Sequence, residues 1–126
     1  MEKRVKVEMG TFPTIRFGEN DMIDINELKA LCKESSIAVT KHAKDRMMER
    51  KIGISDVVSA IQNGEIIKQY EDDKPLPSCL ILGPTADGGK CHAVVSHDGE
   101  FIYLITAYYP DRKIWNEDLK SRKETN

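Results

Sequence analysis

The chain has 126 residues, of which 32% are charged and 40% hydrophobic, so it is long enough for one domain with a core and too short for two of ordinary size. No apolar run approaches the roughly 20 residues of a membrane span, and residues 1–8 lack a hydrophobic signal core, so we expect a cytoplasmic protein without membrane attachment. The three cysteines are widely spaced and include no Cys-x-x-Cys pair, which favours reduced thiols over a disulfide framework or structural zinc.

The first 22 residues form an extension to the rest of the chain. Val5 and Val7 alternate with charged residues, as in a strand, and glycine and proline then interrupt the pattern. We therefore predict an N-terminal strand or arm over residues 1–22, a single domain over residues 23–120, and a polar tail over residues 121–126.

Three helices are predicted in the first half of the domain. Asp24 begins a sequence that is typical of a capping box, with a carboxylate as the cap. Thr40 is the expected N-cap of a second, basic helix, which ends before Gly53. Ser55 is the expected N-cap of a third helix, which ends at Gly64.

Four strands are predicted after the third helix, because the hydrophobic period changes there from helical to alternating. They cover Glu65–Glu71, Ser78–Gly83, His92–His97 and Phe101–Tyr108. The connectors are rich in Asp, Pro and Gly, and Asp98-Gly99 indicates a tight hairpin. This order predicts an α+β fold, in which N-terminal helices pack on an antiparallel sheet of about four strands. Residues 116–126 are expected to be helical or frayed.

The basic helix carries the first candidates for a functional site. His42, Arg46 and Arg50 recur every four residues, so they form one stripe beside the buried face of the helix. Residues 41–51 hold five basic and two acidic side chains, which give a local net charge of +3 on a chain whose total is −2. A titratable imidazole beside two guanidiniums suits a phosphodiester substrate. The candidates for binding the phosphates of a nucleic acid are Lys41, Lys44 and Arg50.

The same helix also fits a structural interpretation. Arg46 can pair with Glu49, and His42 with Asp45, each three residues along a solvated helix face. Arg50 borders the buried stripe and can simply cover it. Sequence pattern alone therefore leaves both interpretations open.

Several motifs occur in a fixed order along the chain. They are Thr40-Lys-His-Ala-x-x-Arg-Met-x-x-Arg50, Gly53-Ile-Ser, Asn63-Gly-Glu-Ile-Ile, Pro77-Ser-Cys-Leu-Ile-Leu-Gly, a strand that opens with His92, and Ile105-Thr-Ala-Tyr-Tyr-Pro-Asp before Trp115. Together they resemble the domain-of-unknown-function family forty-two fifty-eight, over about residues 24–120. That family is similar to the RelE/ParE-like toxins and to small metal-independent ribonucleases of the barnase, EndoU, colicin and RelE fold. The resemblance implies helices on a curved antiparallel sheet, cleavage of free or ribosome-bound RNA, and a cognate antitoxin protein with a zinc finger and a helix-turn-helix.

Carried onto this chain, the resemblance implies a catalytic set of His42, Arg46, His92 and Tyr108. Cleavage without a metal uses the RNA 2′-hydroxyl as nucleophile, an acid and a base to move protons, and a cation to stabilise the phosphorane. His42 would act as the base or the acid, and Arg46 would hold the phosphate. His92 or Tyr108 would supply the second proton-transfer group, although both also fit ordinary positions in the core.

We therefore expect a toxin-like, metal-independent endoribonuclease. The alternatives are a non-catalytic protein- or RNA-binding module on the same scaffold, and an accessory protein that has kept the fold and lost the activity. No zinc-ligand spacing, Gly-x-Ser-x-Gly motif or glycine-rich phosphate loop is present, so no cofactor is expected. Thr106 and Trp115 are expected to pack, and Cys79 to behave as a small buried hydrophobe.

Overall fold

The computed structural model describes residues 22–124 of the chain, with three α-helices and five strands. The helices are α1 (Ile25–Leu31), α2 (Lys41–Arg50) and α3 (Ile54–Asn63), with a short 3₁₀ helix at Glu34–Ser36. The strands are β1 (Ile37–Val39), β2 (Glu65–Tyr70), β3 (Ser78–Pro84), β4 (Lys90–His97) and β5 (Ile102–Tyr108). The predicted N-terminal strand or arm lies outside the described residues, apart from Met22. No helix in residues 22–124 combines the length and the apolar character that crossing a bilayer requires.

The strands form one sheet in the order β1-β5-β4-β3-β2. The four strands after α3 pair antiparallel, as predicted, and the α+β class is confirmed. The fifth strand, β1, was not predicted, and it pairs with the first half of β5 in parallel, from Ile37 beside Ile102 to Val39 beside Leu104. The sheet is therefore mixed rather than purely antiparallel.

Two of the three predicted helix caps are confirmed. The carboxylate of Asp24 accepts a hydrogen bond from the Asn26 amide at 2.8 Å, and Thr40 Oγ1 accepts from the Ala43 amide at 3.0 Å. The predicted cap of α3 was wrong by two residues, because the N-cap is Gly53 rather than Ser55. The Asp56 carboxylate, in the first turn of α3, accepts a hydrogen bond from the Gly53 amide at 2.8 Å. This bond satisfies a free amide at the start of the helix, although the cap residue itself has no side chain.

The helices cover one face of the sheet, and the core lies between the two layers. Side chains alternate along each strand, and irregularities at Ile67 in β2 and Ile105 in β5 shift this alternation by one residue. The buried strand residues of this layer include Cys79, Ile81, Ala93, Val95, Leu104 and Ala107. Cys79 is fully buried, as predicted, and burial raises the pKa of its thiol to about 12.

The opposite side of the sheet, here called the open face, carries the residues that matter for the candidate site. Strand register puts His92 beside Tyr108 and Val94 beside Thr106 on that face. Lys68 lies beside Leu80, which in turn lies beside Val94. The open face therefore collects the strand candidates His92, Thr106 and Tyr108 together with a lysine from β2.

The segment after β5 folds back onto the open face as a small hairpin, here called the tail hairpin (residues 114–123). Trp115 and Arg122 pair in an antiparallel bridge, and the Lys123 amide donates to the Ile114 carbonyl at 2.8 Å. Leu119 is buried, with only 7% of its surface exposed. The described part of this segment is therefore neither helical nor frayed, contrary to the prediction for residues 116–126.

Candidate functional site

The candidate side chains of α2 lie along one flank of the helix. Ala43 and Met47 are buried and define the face that packs on the core. Successive residues of a helix are about 100° apart around its axis. Measured from Ala43, and away from Met47, Arg50 therefore lies at about 20°, Arg46 at about 60° and His42 at about 100°. Because one helix carries all three residues, the contacts that fix the position of Arg50 also determine the side of the helix from which Arg46 and His42 project.

Arg50 connects this flank to the second half of β5, which pairs with β4 but extends beyond β1 on its other side. Its Nη1 donates to the Ala107 carbonyl at 2.8 Å and lies 3.5 Å from Thr106 Oγ1. The parallel partner of β5 ends beside Leu104, so in the described structure the Ala107 carbonyl is an edge carbonyl that Arg50 satisfies. Since Thr106 belongs to the open face, the flank of α2 borders that face.

The two remaining residues of the flank are more loosely held. Arg46 donates to Glu49 at 3.2 Å, as the structural interpretation predicted, and its side chain is 41% exposed. His42 is exposed and forms no hydrogen bond or ion pair with the residues that the structure describes. Asp45, the alternative partner predicted for His42, instead pairs with Lys41 at 3.2 Å. Lys41 and Lys44 are both exposed, on the far side of the helix from Arg46.

His92 is fully buried and uses both of its ring nitrogens inside the protein. Its Nε2 lies 2.7 Å from the Leu119 carbonyl, which can only accept, so Nε2 carries the proton. Its Nδ1 then accepts a hydrogen bond from the Tyr108 hydroxyl, at 3.2 Å. Burial lowers the pKa of His92, and the bond to Leu119 opposes this more weakly. These contacts place His92 behind Tyr108, as the group that orients it.

Two residues of the tail hairpin complete the surroundings of His92. The Trp115 ring meets the His92 ring edge-on, with centroids 4.5 Å apart and planes at 88°. Leu119 has a positive φ of 61°, which is unusual for a leucine. Its buried side chain and its carbonyl bond to His92 hold that conformation.

Tyr108 lies on the open face and lines one pocket with Arg122. Burial raises the pKa of Tyr108 and nearby Tyr70 raises it further, whereas the positive charges of Arg122 and Arg50 act against this. The phenol is therefore protonated at neutral pH. Tyr108 is the predicted site residue that the structure connects most fully, to His92 directly and to Arg50 through the field of its charge.

A pocket of about 400 Å³ opens beside Tyr108, between the tail hairpin and strands β2 and β3. Its lining residues are Ile67, Lys68, Tyr70, Leu80, Tyr108, Trp115, Lys120 and Arg122. We call it the tail pocket. Of these residues, the sequence had pointed only to Tyr108, and to Trp115 as a packing residue. For the other lining residues, the sequence offered one signal: Lys68 and Tyr70 are two residues apart on a predicted strand, so they are expected to share a face of the sheet.

The sequence model of one protein family, described as Domain of unknown function (DUF4258), matches residues 39–109. That range holds α2, α3 and strands β2 to β5, and so includes Arg50, His92 and Tyr108. The tail hairpin lies outside it. No curated protein and no solved structure matches the chain. Within residues 22–124, no group of three or more His, Cys, Asp or Glu side chains is arranged to hold a metal ion.

Proposed function

The chain belongs to the DUF4258 family, whose description assigns no activity, and we propose that it is a small endoribonuclease with a RelE-like scaffold that cleaves RNA by attack of the 2′-hydroxyl. One observation carries the proposal. The Tyr108 hydroxyl is held by His92 at 3.2 Å, lies on the same sheet face as Thr106, which Arg50 contacts, and lines the tail pocket together with Arg122. A held phenol on a sheet face that guanidiniums also reach suits the negative charge that gathers on a phosphodiester during cleavage.

In the proposed reaction, His42 takes the proton of the 2′-hydroxyl as its oxygen bonds to the adjacent phosphorus. Arg46 and Arg50 stabilise the phosphorane, with Arg50 already held against Thr106. The bond between phosphorus and the 5′ oxygen then breaks. The Tyr108 hydroxyl, which donates to His92 Nδ1 at rest, turns its hydrogen to the leaving oxygen and donates the proton to it. The products are a 2′,3′-cyclic phosphate and a 5′-hydroxyl. Solvent then restores the proton to the phenol, and His42 releases the proton that it took from the 2′-hydroxyl to solvent.

The test is cleavage of RNA by the purified protein, with and without ribosomes, and with analysis of the product ends. We expect cyclic phosphate ends, and a loss of rate of about 100-fold or more in Tyr108→Phe, His42→Ala and Arg46→Ala. Tyr109→Phe is the matched control, because Tyr109 is exposed and its hydroxyl makes, with the residues that the structure describes, only a long hydrogen bond of 3.4 Å to the Lys51 carbonyl. Equal cleavage by wild type and all variants would point to a contaminating nuclease and refute the proposal.

A second candidate is a non-catalytic binding module for RNA or protein. It is favoured by the state of Arg46 and His42, since the first is paired with Glu49 and the second has no orienting contact among the described residues. A catalytic imidazole is usually held by a partner. Stable RNA binding without turnover, unchanged by Tyr108→Phe, would favour this module over the nuclease.

The nuclease proposal includes a regulatory partner. A cytoplasmic RNA-cleaving enzyme harms its own cell, so we propose that a cognate antitoxin, of the zinc-finger and helix-turn-helix kind, holds this chain in check. Growth arrest on expression should then depend on Tyr108, and co-expression of the neighbouring gene product should relieve it. Arrest that persists in Tyr108→Phe would argue against the enzymatic part of the proposal.

A further inference from the structure

The tail pocket has the features of a ligand site in its own right. Its volume of about 400 Å³ falls within the range of roughly 300–1,000 Å³ that is common for small-molecule sites. Its wall is formed partly by the tail hairpin, which the contacts of Trp115 and Leu119 with His92 fix on the sheet. The pocket is therefore built by tertiary packing rather than by a mobile surface side chain.

Three aromatic side chains line the tail pocket. Trp115 is held by its edge contact with His92, and Tyr108 by its hydrogen bond to the same ring. Tyr70 lies near enough to Tyr108 for its phenol to raise the pKa of Tyr108. Fixed aromatic rings provide stacking surfaces for a nucleobase.

The charged groups of the tail pocket are all cationic. None of its lining residues is acidic, and neither Lys68 nor Arg122 pairs with a carboxylate in the described part of the chain. Lys68 Nζ lies 5.6 Å from the centre of the Tyr70 ring, and the Arg122 guanidinium lies 5.9 Å from the centre of the Trp115 ring. Among residues 22–124, these two cations beside aromatic rings therefore have no acidic partner.

The nearby acidic groups are occupied elsewhere. Lys120, the third cation, pairs with Glu65 at 3.0 Å. Asp73, whose charge raises the pKa of Tyr70, accepts a hydrogen bond from the Ser78 hydroxyl. The groups left to receive a ligand anion are thus Lys68 and Arg122, at the side of the pocket where the aromatic rings lie.

We propose that the tail pocket binds one nucleotide unit, with the base stacked on Trp115 or Tyr70 and the phosphate held by Arg122 and Lys68. This rests on the proposed function in one respect, since it names the pocket as the subsite for a nucleotide next to the cleaved bond. Binding of a free nucleotide is nevertheless a property that is measured without any cleavage. We expect the ligand to carry both a base and a phosphate, because the lining combines aromatic rings, which suit a base, with cations, which suit a phosphate.

The single tryptophan of the chain makes this measurable, because Trp115 lies in the pocket wall. We expect adenosine 5′-monophosphate to quench the Trp115 fluorescence saturably, and adenosine and inorganic phosphate, used separately, to bind at least about tenfold more weakly. Arg122→Gln should weaken binding of the monophosphate by about tenfold or more. Arg112→Gln is the matched control, since Arg112 is exposed and does not line the pocket.

Unchanged fluorescence with adenosine 5′-monophosphate, or equal affinity of Arg122→Gln and Arg112→Gln, would overturn the inference. A far-ultraviolet circular dichroism spectrum like that of wild type confirms that each variant is folded. If the wild-type protein binds the nucleotide but cleaves no RNA, the proposed nucleotide site stands and the nuclease proposal is refuted. If Arg122→Gln cleaves RNA as fast as wild type and neither protein binds the nucleotide, the nuclease proposal stands and the subsite is refuted.

Discussion

His92 illustrates how a single buried side chain can link the sheet to the tail. Burial lowers the pKa of His92, and it also lowers the pKa of His97, against the charges of Glu27 and Asp98. Both imidazoles therefore stay neutral in the folded protein at pH values where the unfolded chain, with a histidine pKa near 6.5, takes up protons. Since the unfolded state then binds more protons, acidification through and below that value lowers the free energy of unfolding.

We predict that replacing His92 by glutamine makes the free energy of unfolding fall less steeply between about pH 7.5 and about pH 5.5. Glutamine can still donate to the Leu119 carbonyl and accept from Tyr108, but it cannot be protonated in the unfolded chain. The slopes of wild type and His92→Gln should differ by up to about 1.4 kcal/mol per pH unit, the limit for one proton.

Urea unfolding at a series of pH values measures these slopes. His42→Gln is the control, because it removes an exposed imidazole that has no hydrogen bond in the described structure. It should keep the wild-type slope more closely than His92→Gln does. If His92→Gln shows the wild-type slope, His92 is not held neutral by the fold.

At the scale of elements, the contact between α3 and β3 is a close approach of backbones. A Cβ atom added to Gly83 would lie 2.2 Å from the Ala60 carbonyl oxygen of α3, and one added to Gly64, at the end of α3, would lie 2.4 Å from the Leu82 carbonyl oxygen of β3. Both obstacles are backbone, so no side chain can move aside to make room. The two glycines therefore set how closely α3 packs on the strands that carry the open face.

Gly83→Ala is accordingly predicted to destabilise the protein by about 2–3 kcal/mol, since α3 must shift away from the sheet. The control is Gly53→Ala, where an added Cβ meets no atom closer than 3.7 Å. As a change at a helix N-cap, the control should lose about 1 kcal/mol or less. Chemical denaturation measures both, and equal losses would show that the close packing at Gly83 is not needed.

The elements could be predicted from sequence where their signals are local. The four strands after α3 start and end within two residues of their predicted bounds, because alternation and turn residues lie within each segment. β1 was missed because Ile37–Val39 is too short to show a period and lies between two helices. The tail pocket was missed for a different reason: Lys120 and Arg122 belong to a charged segment, and only the packing of Trp115 against the sheet brings them to Lys68.

For the molecule as a whole, the fold brings cations together on one face, although the composition of the chain is slightly acidic. The net charge of −2 gives no reason to expect a polyanion ligand. Yet the flank of α2 and the tail pocket border the same open face: Arg50 contacts Thr106 there, and Lys68 and Arg122 line the pocket. Arg46 lies next to Arg50 on the flank of α2. A nucleic acid bound there meets a local cationic surface while the remainder of the protein repels it.

This arrangement predicts a moderate salt dependence of RNA binding. Four cations that each neutralise a phosphate of a single strand give a slope of about −3 for the logarithm of the association constant against the logarithm of salt concentration. A fully 2′-O-methylated RNA oligonucleotide is a suitable ligand, because it lacks the 2′-hydroxyl nucleophile and stays intact during the titration. Arg122→Gln and Arg46→Gln should each reduce the steepness by about 0.7, and Arg112→Gln should leave it unchanged. A slope near zero, or one that Arg112→Gln changes as much as Arg122→Gln does, would mean that RNA is bound elsewhere on the molecule, because only cations that release counterions on contact contribute to the slope.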